Sequence, residues 1–153
     1  MPCVTTLLAI SLTLTAGQPS GAAAERRQQI LDYQLTMPRA NQLLTAMDAM
    51  TKYVASLPDY TERIRKSMTM TPAEQLAQVE NDPRAMAILK QNNLTAKEYL
   101  VGVPTLRMAL MVAQGLPQSD RIVASPANVT FAKAHLSELK PRMDAADGAR
   151  GRE

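Results

Sequence analysis

The sequence predicts an all-α protein: a small irregular bundle of four to six helices around a kinked, largely buried central helix at about 96–114. Three observations carry that prediction. Aromatic residues are only 3% of the chain and Trp is absent, while Met occurs 10 times, so Leu, Ala, Val, Ile and Met must fill the core. Most of these favour helix over strand. Apolar residues recur at three- and four-residue steps in the longer segments, and no segment alternates with period two. Helix-start signals, with Pro in the first turn or a capping box, appear repeatedly. The 153 residues give room for one domain with a core of its own.

The chain opens with a segment free of charge from Met1 to Ala24. Its apolar run, Val4 to Ala16, has the length of a signal-peptide h-region and falls short of the ~20 residues of a membrane span. Gly17, Pro19, Ser20 and Gly21 follow, and Ala22-Ala23-Ala24 supplies small residues for a signal peptidase. Cleavage is expected after Ala24, with residues 1–24 as leader and Glu25 as the mature N-terminus. The n-region has no Lys or Arg, so either the start amine serves or the start lies upstream. Cys3, the single cysteine, precedes the apolar run and so cannot carry the lipid of a lipoprotein. Its loss with the leader would leave no thiol for disulfides, thiolate metal sites or nucleophilic catalysis. The protein is therefore expected in the periplasm or outside the cell, and not as a membrane-spanning chain.

Residues 25–35 read as an extended or poorly ordered lead-in, followed by a single domain over 36–143. Thr36 is placed to cap the first helix, with Pro38 in its first turn. Met37, Ala40, Leu43, Leu44, Met47, Met50, Val54 and Leu57 give that helix one apolar face, and Pro58 ends it. Asp59 is read as the cap of a short basic helix that fades near Ser67. Thr71-Pro72-Ala73-Glu74 combines a capping box with Pro at the first helical position. Asp82-Pro83 starts the next helix, which turns Met86 and Leu89 inward. Leu94-Thr95-Ala96-Lys97-Glu98-Tyr99 pairs a capping box (Thr95, Glu98) with a hydrophobic staple (Leu94, Tyr99) and opens the central helix. Pro104 removes a hydrogen bond to Leu100 within it, and Gly115 is placed as its C-terminal cap. After a polar loop at 117–125, Ser125-Pro126 starts a last helix with Val129, Ala132, Leu136, Leu139 and Met143 on one face. Residues 144–153 read as a frayed tail.

Composition excludes some functions. The net charge is +3, and acidic residues interrupt the densest basic cluster, Arg63, Arg65 and Lys66, where Asp59 and Glu62 sit beside it. That is no stripe for nucleic acid, and Tyr33, Tyr53, Tyr60, Tyr99 and Phe131 are too scattered to form a stacking platform. No G-x-S-x-G, glycine-rich phosphate loop, D-x-D or E-x-x-E occurs, so no catalytic residue is assigned. His135 and Glu138 stand three apart on one helix face, but with no second His or Cys they do not make a metal site. Periplasmic four-helix b-type cytochromes hold haem between a Met on the first helix and a His on the last. Met47 and Met50 with His135 resemble that arrangement in architecture only, which makes them the candidates for a cofactor. Met68 and Met70 are the candidates for Cu(I), because thioethers suit that ion and these two escape helical packing. No resident cofactor is expected. Asn93-Leu94-Thr95 and Asn128-Val129-Thr130 match the glycosylation sequon, and both fall at helix starts where capping explains them.

Asp82-Pro83-Arg84-Ala85, Leu94-Thr95-Ala96-Lys97-Glu98-Tyr99 and Pro126-Ala127-Asn128-Val129, in that order behind a leader, resemble a type of small exported all-helical bacterial protein without assigned function. The resemblance implies fold and location, and it carries no site over. The expectation for function is an exported, non-enzymatic bundle that binds another protein or an envelope component. Its partner groove is sought at 58–71, at 117–125 and near Pro104. The alternative is a carrier of haem, Cu(I) or a small apolar ligand in the bundle core.

Overall fold

A computed structural model describes residues 21–148. The expected apolar leader run and the last five residues lie outside that range. The described residues hold eight helices and no strand: α1 (Gly21–Asp32), α2 (Met37–Ala55), α3 (Tyr60–Ser67), α4 (Pro72–Glu80), α5 (Pro83–Gln91), α6 (Ala96–Ala113), α7 (Pro126–Ala134) and α8 (Leu136–Gly148). None is long and apolar enough to cross a membrane.

The helix starts form where the caps demanded them. Thr36, Thr71, Asp82, Thr95 and Ser125 each accept a backbone N–H from the first turn of the helix they precede. Thr71 with Glu74 and Thr95 with Glu98 close complete capping boxes. Asp59 does not cap α3, because Arg63 at i+4 takes its carboxylate through Nε at 2.8 and 2.9 Å. Two helix ends close by the same device. Asn93 (φ +54°) and Gly115 (φ +97°) adopt the left-handed conformation, and the next residue's N–H returns to Leu89 O at 3.0 Å and to Met111 O at 3.1 Å.

α6 is the hub and packs against α1, α2, α4, α5, α7 and α8. Leu43, Met47, Leu89, Leu106 and Leu139 are fully buried around it. Gly102 lets α2 and the segment after α1 approach closely: a Cβ there would stand 2.8 Å from Leu43 Cδ2 and 2.9 Å from Tyr33 Oη. α6 remains one helix from Ala96 to Ala113, with Pro104 inside it.

The structure corrects four further expectations. The expected lead-in is helical through Asp32. α1 has little apolar periodicity to betray it, and docking stabilises it, with Ile30 buried against Val101 and Val123. It also runs through the expected cleavage point, so a chain beginning at Glu25 would keep Ile30 and Arg26. The expected last helix is two, divided at His135 (φ −118°, ψ 17°), because a periodic apolar face reports which side is buried and not whether the backbone is continuous. The expected tail is helical to Gly148. Ala146 is buried, and Asp147 pairs with Arg107 at 2.6 Å, so small residues here pack rather than fray. The helix count therefore exceeds the expected four to six.

One buried polar residue ties the ends of the chain together. Asn128 on α7 donates its amide N–H to Tyr33 O at 2.7 Å and accepts from Leu35 N–H at 3.0 Å. Both functions of its amide are occupied, which satisfies a loop backbone that would otherwise be buried unpaired. The sequon at Asn128 therefore serves the fold.

Candidate ligand cleft

α3 is the exception to the close packing. It buries no residue and makes no more than marginal contact with other helices. Yet Tyr60, Arg63, Ile64 and Ser67 recur at helical spacing on one of its faces, and all four line a cleft of about 420 Å³. α2 contributes Met50, Thr51, Tyr53 and Val54, α4 contributes Gln75, Gln78 and Val79, α5 and its N-cap contribute Ala85 and Asp82, and α6 contributes Tyr99, Leu100 and Arg107. α3 thus roofs a space that the other helices leave open. A volume of this size falls within the usual range for small-molecule sites.

The polar groups around the cleft hold one another. Tyr53 Oη donates to Asp82 Oδ2 at 2.8 Å, and the Arg84 guanidinium lies 5.3 Å from the Tyr53 ring centre. The hydrogen bond to Asp82 raises the Tyr53 pKa above its ordinary value, with burial adding to it. Burial pushes the Asp82 carboxyl up. The N–H of Ala85, the Tyr53 hydroxyl, the N–H of Arg84 and the charge of Arg63 together outweigh that and leave it below its ordinary value. Tyr53 and Asp82 therefore stay as neutral donor and ionised acceptor at neutral pH. Arg63 pairs with Asp59, and Arg107 with Asp147 across to α8. Gln75 Nε2 donates to Ser67 O at 3.2 Å, linking the end of α3 to α4.

Thr51 differs from these. It is among the lining residues but only 5% exposed, and its hydroxyl is buried without a hydrogen-bond partner. Three tyrosines, two arginines and two glutamines set among apolar side chains can recognise a molecule. Each ionised side chain that lines the cleft is paired: Arg63 with Asp59, Arg107 with Asp147, and Asp82 with the Tyr53 hydroxyl and two backbone N–H groups.

A smaller space of about 290 Å³ lies beside this cleft between α1, α4 and α6, where Glu25, Arg26 and Lys97 meet Leu76 and Leu100. Leu100 lines both. Away from the clefts, Glu98 on α6 meets Arg39 on α2 at 2.9 Å. The backbone hydrogen bond from Thr95 holds its carboxyl below the ordinary value against a smaller opposing effect of burial, helped by the Thr95 hydroxyl and Arg39.

The residues singled out in the sequence are distributed differently. Met47 is fully buried in the core, and Met50 lies at the wall of the cleft. His135 sits at the α7–α8 junction, half-buried, with its ring 4.9 Å from that of Phe131. Met68 follows α3 and is 80% exposed, and Met70 is half-buried just before α4. Among the described residues no three His, Cys, Asp or Glu side chains group to hold a metal. Of the expected partner groove, 58–71 supplies the cleft's roof, while 117–125 supplies none of its lining. Sequence reasoning passed over Thr51 and the Tyr53–Asp82 pair. Thr51 had a signal: it stands four after Met47 and three before Val54, on the apolar stripe of α2.

No family model, curated protein or solved structure matches the chain.

Proposed function

We propose that this chain is an exported, non-enzymatic binding module and that its binding site is the cleft beneath α3. The observation that carries this reading is the roof itself: a helix with one face aimed into a 420 Å³ space and no buried residue to hold it down. Such a helix costs little to move, which suits an element that admits and then covers a partner. The ion pairs and caps around the cleft support recognition over chemistry, because they fix the walls and leave no activated nucleophile or base. Export rests on the uncharged, apolar leader and the small residues that end it.

Among carrier readings, the placement of Met50 and Thr51 favours a molecule in this cleft. Haem at Met47 would have to enter a fully packed core. Native mass spectrometry of protein made with its own leader and recovered from the cell envelope tests the reading. The expected result is a chain beginning at Glu25 with an associated species that Ile64→Asp, a charge in the cleft roof, removes. A full-length 16.7 kDa chain confined to the cytosol contradicts export. A catalytic turnover abolished by one side-chain change contradicts the binding-module reading.

A further inference from the structure

We infer that Met68 is a modification site. Of the methionine sulfurs in residues 21–148, its thioether is the first to take an oxygen atom from a peroxide. The sulfoxide is carried without loss of structure and is open to enzymatic reduction. This inference is independent of the cleft and of what the cleft binds.

Exposure sets Met68 apart. It is 80% exposed, whereas Met47, Met50 and Met143 are buried and the other described methionines are half-buried. A thioether is flexible and usually fills gaps in a core, so one standing in water contributes no packing of that kind. Nor is this the exposure of a loose end. The Met68 N–H closes α3 on Ile64 O at 3.3 Å, and Thr69 donates to Lys66 O through its N–H at 3.1 Å and through Oγ1 at 2.9 Å. Ser67 Oγ donates to Ile64 O at 2.7 Å, and Gln75 Nε2 donates to Ser67 O at 3.2 Å. The backbone on both sides of Met68 is thus fixed while its side chain stands in solvent. Met70, two residues on, is half-buried, so the two sulfurs of this segment are not equivalent.

The chemistry needs only an oxidant that reaches the sulfur. A sulfur lone pair attacks one oxygen of hydrogen peroxide, the S–O bond forms as the O–O bond breaks, and the other oxygen leaves with both protons as water. Sulfur gives up two electrons and the peroxide is reduced. The product is a polar side chain, which disrupts a core but suits a position already in water. Met68 lies outside both the apolar core and the cleft lining, so the change removes no contact from either. The same exposure lets methionine sulfoxide reductases reach the product on the folded chain, one enzyme for each epimer.

The test is a time course of the folded protein, as recovered from cells, in excess hydrogen peroxide, with the oxygen gained at each methionine read by peptide mass spectrometry. Met68 should be oxidised on the order of tenfold faster than Met47, Met50 and Met143, whose sulfurs are reached when the fold opens, and ahead of the half-buried methionines. Met68→Leu should remove the fast phase, and Met70→Leu should leave it. Protein oxidised at Met68 alone should keep its unfolding midpoint and regain its original mass with the two reductases while folded. Oxidation of another methionine of residues 21–148 as fast as Met68 overturns the proposal. So does a midpoint lowered by oxidation at Met68 alone, or a sulfoxide there that the reductases reach only after unfolding.

Discussion

The guanidinium of Arg26 on α1 donates to the carbonyl of Leu100 on α6 at 2.7 Å. That carbonyl is open because Pro104, four residues on, has no N–H to give it. α1 thus docks where the central helix has lost an internal bond, and a charged donor replaces the missing amide. The relationship predicts a coupling. Arg26→Ala should destabilise the protein by about 1–2 kcal/mol, since it leaves a half-buried carbonyl without its charged partner. In a Pro104→Ala background the restored amide claims Leu100 O, and the same substitution should cost clearly less. A double-mutant cycle by urea unfolding measures the difference.

Thr51→Val is expected to leave the ligand-free protein equally stable or to stabilise it, by up to about 1 kcal/mol, because the change removes a buried hydroxyl that bonds nothing. Thr105→Val, at a fully buried site where the hydroxyl bonds Val101 O, should not show that gain. Thermal unfolding of the two variants side by side checks the contrast.

Asn128→Ala should be among the most damaging polar substitutions. It strands Tyr33 O and Leu35 N–H together, at about 1–3 kcal/mol for each buried group. Chemical denaturation should show a midpoint loss far larger than that of Asn41→Ala, whose side chain meets Arg142 at a partly exposed contact.

Gly102→Ala sets two effects against each other. Alanine gains about 1 kcal/mol of helix propensity over glycine. Its methyl would stand under 3 Å from the fully buried Leu43 and from Tyr33 Oη, and overpacking of this kind costs about 1–3 kcal/mol. The expected result is net destabilisation, read from the unfolding midpoint.

Acid should loosen the fold through Glu98 and Asp82. Both carboxyls lie below their ordinary values in the folded chain, so the stability they contribute is present above the unfolded carboxyl range of about pH 4. It is lost as the pH falls through the folded values. Glu98→Gln should lower stability at neutral pH and flatten the acid limb of the stability curve, as followed by circular dichroism at a series of pH values.

The helix starts were legible because their signals are local. Thr71-Pro72-Ala73-Glu74 and Thr95-Ala96-Lys97-Glu98 contain donor, acceptor and spacing within four residues, and both boxes form. The burial of Leu106 and the central place of α6 followed from a segment apolar on most sides. What could not be read depends on long-range partners. α1 shows little periodicity, and its helix is stabilised through Arg26 and Ile30 by a segment some 70 residues away. The division at His135 leaves the apolar face unbroken, so periodicity passes over it. The cleft is legible only in part. Arg63 and Ile64 fall in a segment marked as a groove, but Thr51 reads as an interruption of a core stripe until its hydroxyl is seen without a partner.

The most direct test of the α3 cleft is hydrogen exchange at the amides of Tyr60–Ser67, with and without the envelope-derived species. The account predicts fast exchange across α3 in the free protein, well ahead of α6, and marked slowing when the cleft is filled. Protection of α3 equal to that of α6 in the free protein, and unchanged by that species, would contradict it.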